Sequence, residues 1–217
     1  MNKKIKYMFL LITFMLLLVG CNQNDNDKKE IKKDIDYNAY ATLKINMPLS
    51  FDDLDNYFEI SLDEKLIDNN IGEVTGDGTP IDDNGPYATD IEIDFDYGKI
   101  DQLKKIISEY RFPKGSYLEI NGKKREELGD LLGIKIIFNY LSYDDANNIY
   151  NSLKETIKDK YIYTTFINTN NKYLAYFYSD DINILKSELT NYIVSKKIDD
   201  KLIMSDMLEY IKETSWD

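Results

Sequence analysis

The stretch that decides the fold is TDIEIDFD, residues 89–96. Apolar residues alternate with acids along it, and a period of two is the pattern of a half-buried β-strand. Ile91, Ile93 and Phe95 are therefore expected to face a core, with the acids on the opposite side. Apolar residues at helical spacing follow over residues 100–110, so the strand leads into a helix. This succession predicts an α+β protein.

Elements of the same two kinds continue on both sides, in an order that repeats once. The first half is predicted to hold a strand, a helix, a glycine-rich loop, a strand, a helix and a strand, at residues 43–47, 50–60, 72–85, 89–96, 100–110 and 116–121. The second half is predicted to hold a strand, a helix, a hairpin, a helix and a terminal amphipathic helix, at residues 134–138, 142–157, 161–178, 182–193 and 202–211. Ser50 with Asp53, and Ser142 with Asp145, are predicted helix-capping pairs.

Each half approximates the strand-helix-strand-strand-helix-strand order of a ferredoxin-like sandwich, although the second half lacks a last strand. The predicted fold class is α+β, with antiparallel sheets and helices on one face. Two ferredoxin-like (split βαβ) halves, 37–128 and 129–217, fit this order, and so does one fused sheet.

The charge balance and the absence of histidine limit the function classes. The chain has 27 Lys and Arg against 39 Asp and Glu, a net charge of −12, with no histidine and a single cysteine. Phosphate backbones repel such a surface, so nucleic acid is not an expected partner. Imidazole relays, zinc sites built from several thiolates or imidazoles, and intrachain disulfides are excluded. Carboxylate, Ser/Lys or Tyr chemistry, hard-cation binding, or a role without catalysis remain, and no cofactor is predicted.

The first twenty residues have the layout of a secretory signal peptide. Three lysines precede an apolar stretch over residues 7–19, and the small Gly20 comes directly before Cys21. The apolar stretch makes roughly 20 Å of helix, which is short of the ~30 Å hydrocarbon core of a bilayer. A cleaved signal is therefore favoured over a permanent membrane span.

Leu18-Val19-Gly20-Cys21 resembles the lipobox of bacterial lipoproteins. The resemblance implies cleavage between Gly20 and Cys21, and a diacylglycerol thioether on Cys21, often with a further acyl chain on its amine. Two or more chains anchor a protein stably. The expected location is therefore the cell membrane, lipid-anchored and facing outside the cytoplasm, with the bilayer as a partner. The polar stretch that follows Cys21 to residue 36 is predicted to be a flexible tether.

The acids of the opening stretch form the first candidate site. Asp90, Glu92, Asp94 and Asp96 are predicted to share one strand face, roughly 6.5 to 7 Å apart. Such a ladder suits a hard cation, a basic partner, or an acid and base pair for glycoside cleavage. The alternative is the solvated face of a strand whose acids discourage edge-to-edge pairing.

Two weaker candidates complete the set. Asp77, Asp82 and Asp83 lie in the predicted loop between Gly72 and Gly85, which lacks the phosphate-binding and dinucleotide motifs and is otherwise a connection. Four tyrosines of the predicted hairpin could form an aromatic binding surface, with the first two on one strand face and the last two on another: Tyr161, Tyr163, Tyr176 and Tyr178. Tyrosine also favours strands for structural reasons.

The body resembles no characterised family, so its function has to be argued from these features. The favoured hypothesis is a membrane-anchored binding or protein-interaction module whose ligand is a protein or a component of the cell envelope. The alternatives are a surface-anchored carboxylate hydrolase of glycans using acids such as Glu92 and Asp94, and an acidic immunity-type lipoprotein that neutralises a basic toxin.

Overall fold

The structure is a computed structural model, and it describes residues 37–79, 81–82, 85–86, 88–169 and 172–206. Gly20, Cys21 and Asp83 lie outside these residues, and so does the predicted tether. No helix among the described residues is long and apolar enough to cross a membrane.

The first half is built on a five-stranded antiparallel sheet, which we call sheet 1. Its strands are β1 (Ala39–Ile45), β2 (Gly72–Gly78), β5 (Thr89–Phe95), β6 (Ser116–Ile120) and β7 (Lys124–Leu128). Their spatial order is β2-β5-β1-β6-β7. A short hairpin of β3 (Ile81–Asp82) and β4 (Gly85–Pro86) connects β2 to β5. Helix α1 covers residues 51–68, and α2 covers Ile100–Ile107 after a 3-10 turn at Tyr97–Lys99.

The second half has a four-stranded antiparallel sheet, sheet 2. Its elements in chain order are β8 (Leu132–Phe138), α3 (Tyr143–Thr156), β9 (Tyr163–Asn168), β10 (Tyr173–Ser179), α4 (Ile182–Lys196) and β11 (Leu202–Asp206). The spatial order is β11-β8-β10-β9. In both halves the first and third strands of the unit are central and the second and fourth are outside them, which is the ferredoxin-like arrangement. The predicted fold class is confirmed, and β7 is an additional strand of the first half.

Helices α1 and α3 begin with the same sequence pattern. Ser50 and Ser142 each accept a hydrogen bond from the backbone amide three residues later, at 3.2 Å in both cases. The preceding leucines, Leu49 and Leu141, pack into the cores, in the manner of a hydrophobic staple. Both predicted capping pairs are confirmed.

Helix α1 differs from α3 by a π turn, Asp55–Glu59, between α-helical segments Phe51–Leu54 and Ile60–Asp68. Its buried residues recur at every fourth position, at Leu54, Phe58, Leu62 and Leu66. A regular α-helix has 3.6 residues per turn, so positions spaced by four drift steadily around its axis. The wider π turn absorbs the drift and keeps this stripe on one face.

The layers of the body run sheet 1, α1 with α2, sheet 2, and α3 with α4. One core joins sheet 1 to α1 and α2 and continues to Leu174, Tyr176 and Tyr178 of sheet 2. The other core lies between the opposite face of sheet 2 and its own helices. Sheet 2 is therefore covered on both faces, and the described residues from 37 to 206 belong to one compact unit.

Three segments differ from the prediction. Residues 72–78 were expected in a loop and form β2, whose register shifts between Val74 and Gly76. A Cβ on Gly72 would lie 2.3 Å from the Asp94 carbonyl oxygen, so the glycine is required by the close approach of β5. Residues 202–206 were expected in a helix and form β11, which pairs with β8; residues 207–211 lie outside the described part. Strand β7 was not predicted.

Candidate functional site: the open face of sheet 1

The acids of β5 lie on the face of sheet 1 that points away from α1 and α2. Ile91, Ile93 and Phe95 are fully buried on the helix side, so the predicted alternation is confirmed. Asp90, Glu92 and Asp94 occupy the other face. These three carboxylates thus share one side of a strand, as the pattern predicts.

Two details of the predicted ladder are wrong. Asp96 follows the strand, and its Oδ1 accepts a hydrogen bond from the Gly98 amide at 2.9 Å, so it caps the 3-10 turn. Strand β5 is also not an edge strand, because β1 and β2 flank it on both sides. Protection of a sheet edge therefore does not account for its acids.

The neighbouring strands complete a polar surface around the ladder, which we call the acidic face. The register of the five strands places its side chains in adjacent positions: Tyr40, Thr42, Lys44, Glu73, Asp90, Glu92, Asp94, Tyr117, Glu119, Arg125 and Glu127. Acids outnumber the two cations. Sequence reasoning missed the contributions of β6 and β7, although alternation in SYLEIN already places Tyr117 and Glu119 on one face.

The two cations of the acidic face are engaged within it. Lys44 forms an ion pair with Asp90, its cross-strand neighbour. The Arg125 guanidinium lies over the ring of Tyr117, 3.7 Å from its centroid, and pairs with Glu127 at 3.3 Å. Burial raises the pKa of Tyr117, although the positive charges of Lys44 and Arg125 lower it. Arg125 is also the direct cross-strand neighbour of Glu119.

The centre of the acidic face is Thr42. Glu92 of β5 and Glu119 of β6 are its cross-strand neighbours on either side, so their strands are roughly 10 Å apart. No ion pair among the described residues involves Glu92, Asp94 or Glu119. Two carboxylates therefore flank a small residue at an uncovered position.

The loop acids do not join this surface. Asp77 lies on β2 opposite Ile91, hence on the helix side of the sheet, and it is exposed. Partial burial raises the pKa of Glu59 in α1, and the nearby Asp77 and Asp55 carboxylates raise it further. Asp82 belongs to β3. Among the described residues no group of three acidic or cysteine side chains is arranged to hold a metal ion, so the cation-binding alternative gains no support.

The predicted aromatic surface is wrong, because its tyrosines pack inside the body. Tyr176 and Tyr178 share a face as predicted, but they are only 2% and 1% exposed. Tyr163 packs against Tyr57 and Phe58 of α1, with ring centroids 5.1 Å apart in both cases. Tyr161 precedes β9 and packs on Phe177 in the other core, so it does not share a face with Tyr163.

Two shallow hollows are present in the described surface where β7 leads into β8. Their volumes are about 350 Å³ and about 320 Å³, and both are lined by Glu127, Leu128 and Gly129. Arg111, at the rim of the larger one, forms an ion pair with Asp130 at 3.1 Å. Neither hollow contains Glu92 or Asp94. Those carboxylates lie on an open sheet, whereas a hydrolase needs a cleft that shields one acid from water.

Comparison with known proteins adds no function. No family model and no curated protein matches the chain. Among solved structures, the first two RRM domains of yeast poly(U) binding protein are 11% identical over 78% of this chain and 99% of that chain, with a TM-score of 0.23. An unknown protein from Galdieria sulphuraria is 6% identical over 78% of this chain and 98% of that chain, with a TM-score of 0.25. These values carry no argument about activity, and the strand order alone assigns the fold.

Proposed function

We propose that the protein is a membrane-anchored extracytoplasmic lipoprotein that works as a binding module, and that its acidic face binds a basic partner protein. The anchor is lipidated Cys21, supported by the resemblance of Leu18 to Cys21 to a lipobox. The observation that carries the binding role is the uncovered state of the acidic face among the described residues, while α1 covers the corresponding face of sheet 2.

The charge of the acidic face supports a basic partner. Asp94 lies directly opposite Glu73 of β2, and like charges in cross-strand positions are destabilising. Glu92 and Glu119 add further negative potential beside them. A partner with Lys or Arg side chains would complement these carboxylates, and complementary charge also speeds association. The same sign repels anionic lipid headgroups and keeps the face away from the bilayer.

Thr42 is the position where the partner's cation fits best. A Lys or Arg side chain placed over it would lie between Glu92 and Glu119, with the exposed ring of Tyr40 next along β1. Carboxylates and an aromatic ring both attract a cation. The immunity-type alternative is the case in which this partner is a toxin. Among the described residues neither hollow is lined by Glu92 or Asp94, so the hydrolase alternative has less support than binding.

The anchor is tested by intact mass and membrane partitioning of the full chain in a bacterial host, beside Cys21→Ser. We expect a mature species that starts at Cys21 and carries added lipid mass, and we expect the variant to lose both the lipid and the membrane association. An uncleaved or soluble wild-type product would overturn the anchor and leave the acidic face untouched.

The acidic face is tested with a lysine- and arginine-rich peptide as the probe. The variant Glu92→Gln/Asp94→Asn/Glu119→Gln is compared with Glu64→Gln/Glu155→Gln/Asp159→Asn, which removes the same charge from exposed positions elsewhere. We expect the first variant to weaken binding at least tenfold in calorimetry, and the second to weaken it by less than threefold. Equal losses would show that only net charge attracts the peptide, and the proposal would fail.

A further inference from the structure

Tyr140, in the loop between β8 and α3, combines two unfavourable features. Its backbone is left-handed, with φ of 56°, a conformation that bulky residues rarely adopt. Its side chain is fully exposed, at 101% of the reference area. It makes no hydrogen bond, ion pair or ring contact among the described residues. The fold therefore gains nothing visible from this ring.

The loop around Tyr140 is held at both ends. Phe138 is buried in the core of sheet 2 before it, and the Asn139 amide donates to the Lys201 carbonyl oxygen at 2.8 Å. Leu141 packs against the same core after it, and Ser142 caps α3. Tyr140 is thus a single projecting ring on an anchored turn, and pre-organisation of this kind lowers the entropic cost of binding.

The choice of tyrosine is informative, because the turn requires only a residue that tolerates a positive φ. Glycine would satisfy the backbone without strain, and asparagine with little. Strained residues of this sort persist at sites of function. Tyrosines are prominent among residues that dominate protein interfaces, so this exposed ring is a candidate for contact with another molecule.

The residues that follow Tyr140 include a second exposed tyrosine and two acids. Tyr143, 47% exposed, opens α3 and is fixed by its contact with Tyr173, with ring centroids 5.8 Å apart. The exposed Asp144 and Asp145 follow in the first turn. Aromatic rings and carboxylates both attract an ammonium or guanidinium group.

We propose that Tyr140, with Tyr143 and Asp144, forms an aromatic corner that binds an arginine or lysine side chain of a partner protein. The corner belongs to the second half and is separate from the acidic face, which lies on sheet 1. It is an additional contact point, and either surface can fail without the other.

The test uses the full chain in detergent micelles with ring-labelled tyrosine, observed by NMR. The probe is a synthetic peptide of alternating glycine and arginine, and its glutamate counterpart is the negative probe. The Tyr140 signal is assigned by its loss in Tyr140→Gly. We expect the arginine peptide alone to shift this signal in a saturable way, Tyr140→Phe to keep the effect, and Asp144→Asn to weaken the affinity at least threefold.

Two further outcomes decide the proposal. Tyr140→Gly should keep or raise the thermal unfolding midpoint, and a clear fall in that midpoint would show that the ring serves the fold, overturning the proposal. Absence of a shift with the arginine peptide, or an equal shift with the glutamate peptide, would overturn it as well. The triple variant of the acidic face should leave the Tyr140 response unchanged, which separates this site from the proposed function.

Discussion

Sheets 1 and 2 each have a face that points away from their own helices. The strands are arranged in the same way in both, but this face is acidic in sheet 1 and buried in sheet 2. Alignment of β1 with β8 by strand register makes β5 equivalent to β10. The equivalent side chains are Asp90 and Leu174, Glu92 and Tyr176, and Asp94 and Tyr178. The acids of β5 lie on the open face, whereas their counterparts in β10 are buried against the first half.

Equivalent strands of the two ferredoxin-like halves therefore differ in sequence. Whether a strand face carries polar or apolar side chains depends on whether another layer packs against that face. Tyr57 of α1 donates a hydrogen bond to the Thr164 carbonyl oxygen at 2.8 Å, and Asp53 accepts one from Thr165, so α1 closes the face of sheet 2. Strand β10 is accordingly apolar on both sides, in the run LAYFY. A continuous apolar run indicates two covered faces, and strict alternation indicates one.

The largest effect is expected from exchanging equivalent residues between the two faces. Tyr178→Asp would bury a carboxylate without a partner, so the free energy of unfolding should fall by more than about 4 kcal/mol. Asp94→Tyr puts the ring on the open face and should change it by less than about 0.5 kcal/mol. Chemical denaturation of both variants measures the two values. Similar losses in the two variants would contradict the assignment of one covered and one open face.

The next effect concerns the edge strand β2. A Cβ at Gly72 would lie 2.3 Å from the Asp94 carbonyl oxygen, whereas one at Gly78 would meet nothing within 4 Å. Gly72→Ala should therefore destabilise by about 1 to 3 kcal/mol or more through overpacking, and Gly78→Ala should be nearly neutral. Thermal unfolding compares them, and a neutral Gly72→Ala would show that β2 is not held against β5 as described.

Alkaline pH should destabilise the protein through its buried tyrosines. Burial, with a smaller contribution from Asp53, raises the pKa of Tyr57 to about 12 from its ordinary 10.0. Burial also raises the pKa of Tyr150, Tyr176 and Tyr178. Between pH 10 and 12 the unfolded chain loses these protons and the folded chain keeps them, so stability falls as pH rises through this window. Tyrosinate absorbance should show a late-titrating group of tyrosines, and a single transition near pH 10 without unfolding would contradict this.

A smaller effect is expected at the hydrogen bond between the halves. Tyr57→Phe removes the donor to the Thr164 carbonyl oxygen, and its loss should cost about 1 kcal/mol. Tyr161→Phe is the matched control, because no hydrogen bond of the Tyr161 hydroxyl is observed among the described residues. The denaturant midpoints of the two variants measure the difference in stability. Equal changes would show that the hydrogen bond of Tyr57 does not stabilise the contact between the halves.

The smallest effect lies on the acidic face. Asp94→Asn removes a like-charge neighbour of Glu73, so it should stabilise the protein by a few tenths of a kcal/mol, about 0.2 to 0.5. The gain should vanish at 1 M salt, where the Debye length is only about 3 Å. Thermal midpoints at low and high salt measure it. A gain that persists in salt would have a cause other than charge.

Most of the fold follows from local patterns in the sequence. Alternation identifies β1, β5 and β8, helical spacing identifies the four helices, and serines mark the starts of α1 and α3. The predicted hairpin is confirmed as β9 and β10, with the Thr169 amide donating to the Lys172 carbonyl oxygen at 2.9 Å across its turn. These elements carry local signals: alternation or helical spacing where one face is buried, and a continuous apolar run where both faces are.

The missed strands lack that signal. Strand β7 reads KREEL, and it forms because Asn121 and Gly122 both have positive φ and turn the chain back along β6. Asn-Gly is a strong hairpin signal, so the dipeptide could have identified it. Strand β2 is glycine-rich to allow close approach of β5, and β11 has apolar spacing that fits a helix equally well. Their assignment depends on tertiary pairing.

Within the candidate site, only the acids of β5 were predicted from the sequence. The alternation around Glu92 predicts a row of acids, but the number of strands beside it and the opposing Glu119 follow from topology. The tyrosines of β10 were predicted to be exposed and are buried, because the sequence does not show that α1 packs over them. Tyr140 belongs to no periodic pattern in the sequence. Only its positive φ and its full exposure in the structure distinguish it.

The π turn of α1 accounts for a one-residue difference between the buried stripes of α1 and α3. In α1 the buried positions are 54, 58, 62 and 66, and in α3 with its following turn they are 146, 150, 153 and 157. The first two pairs are offset by 92 (146 − 54 and 150 − 58), and the last two by 91 (153 − 62 and 157 − 66). One extra residue therefore separates Phe58 from Leu62. The π turn at Asp55–Glu59 holds this extra residue, so α1 keeps a single buried stripe despite the added length.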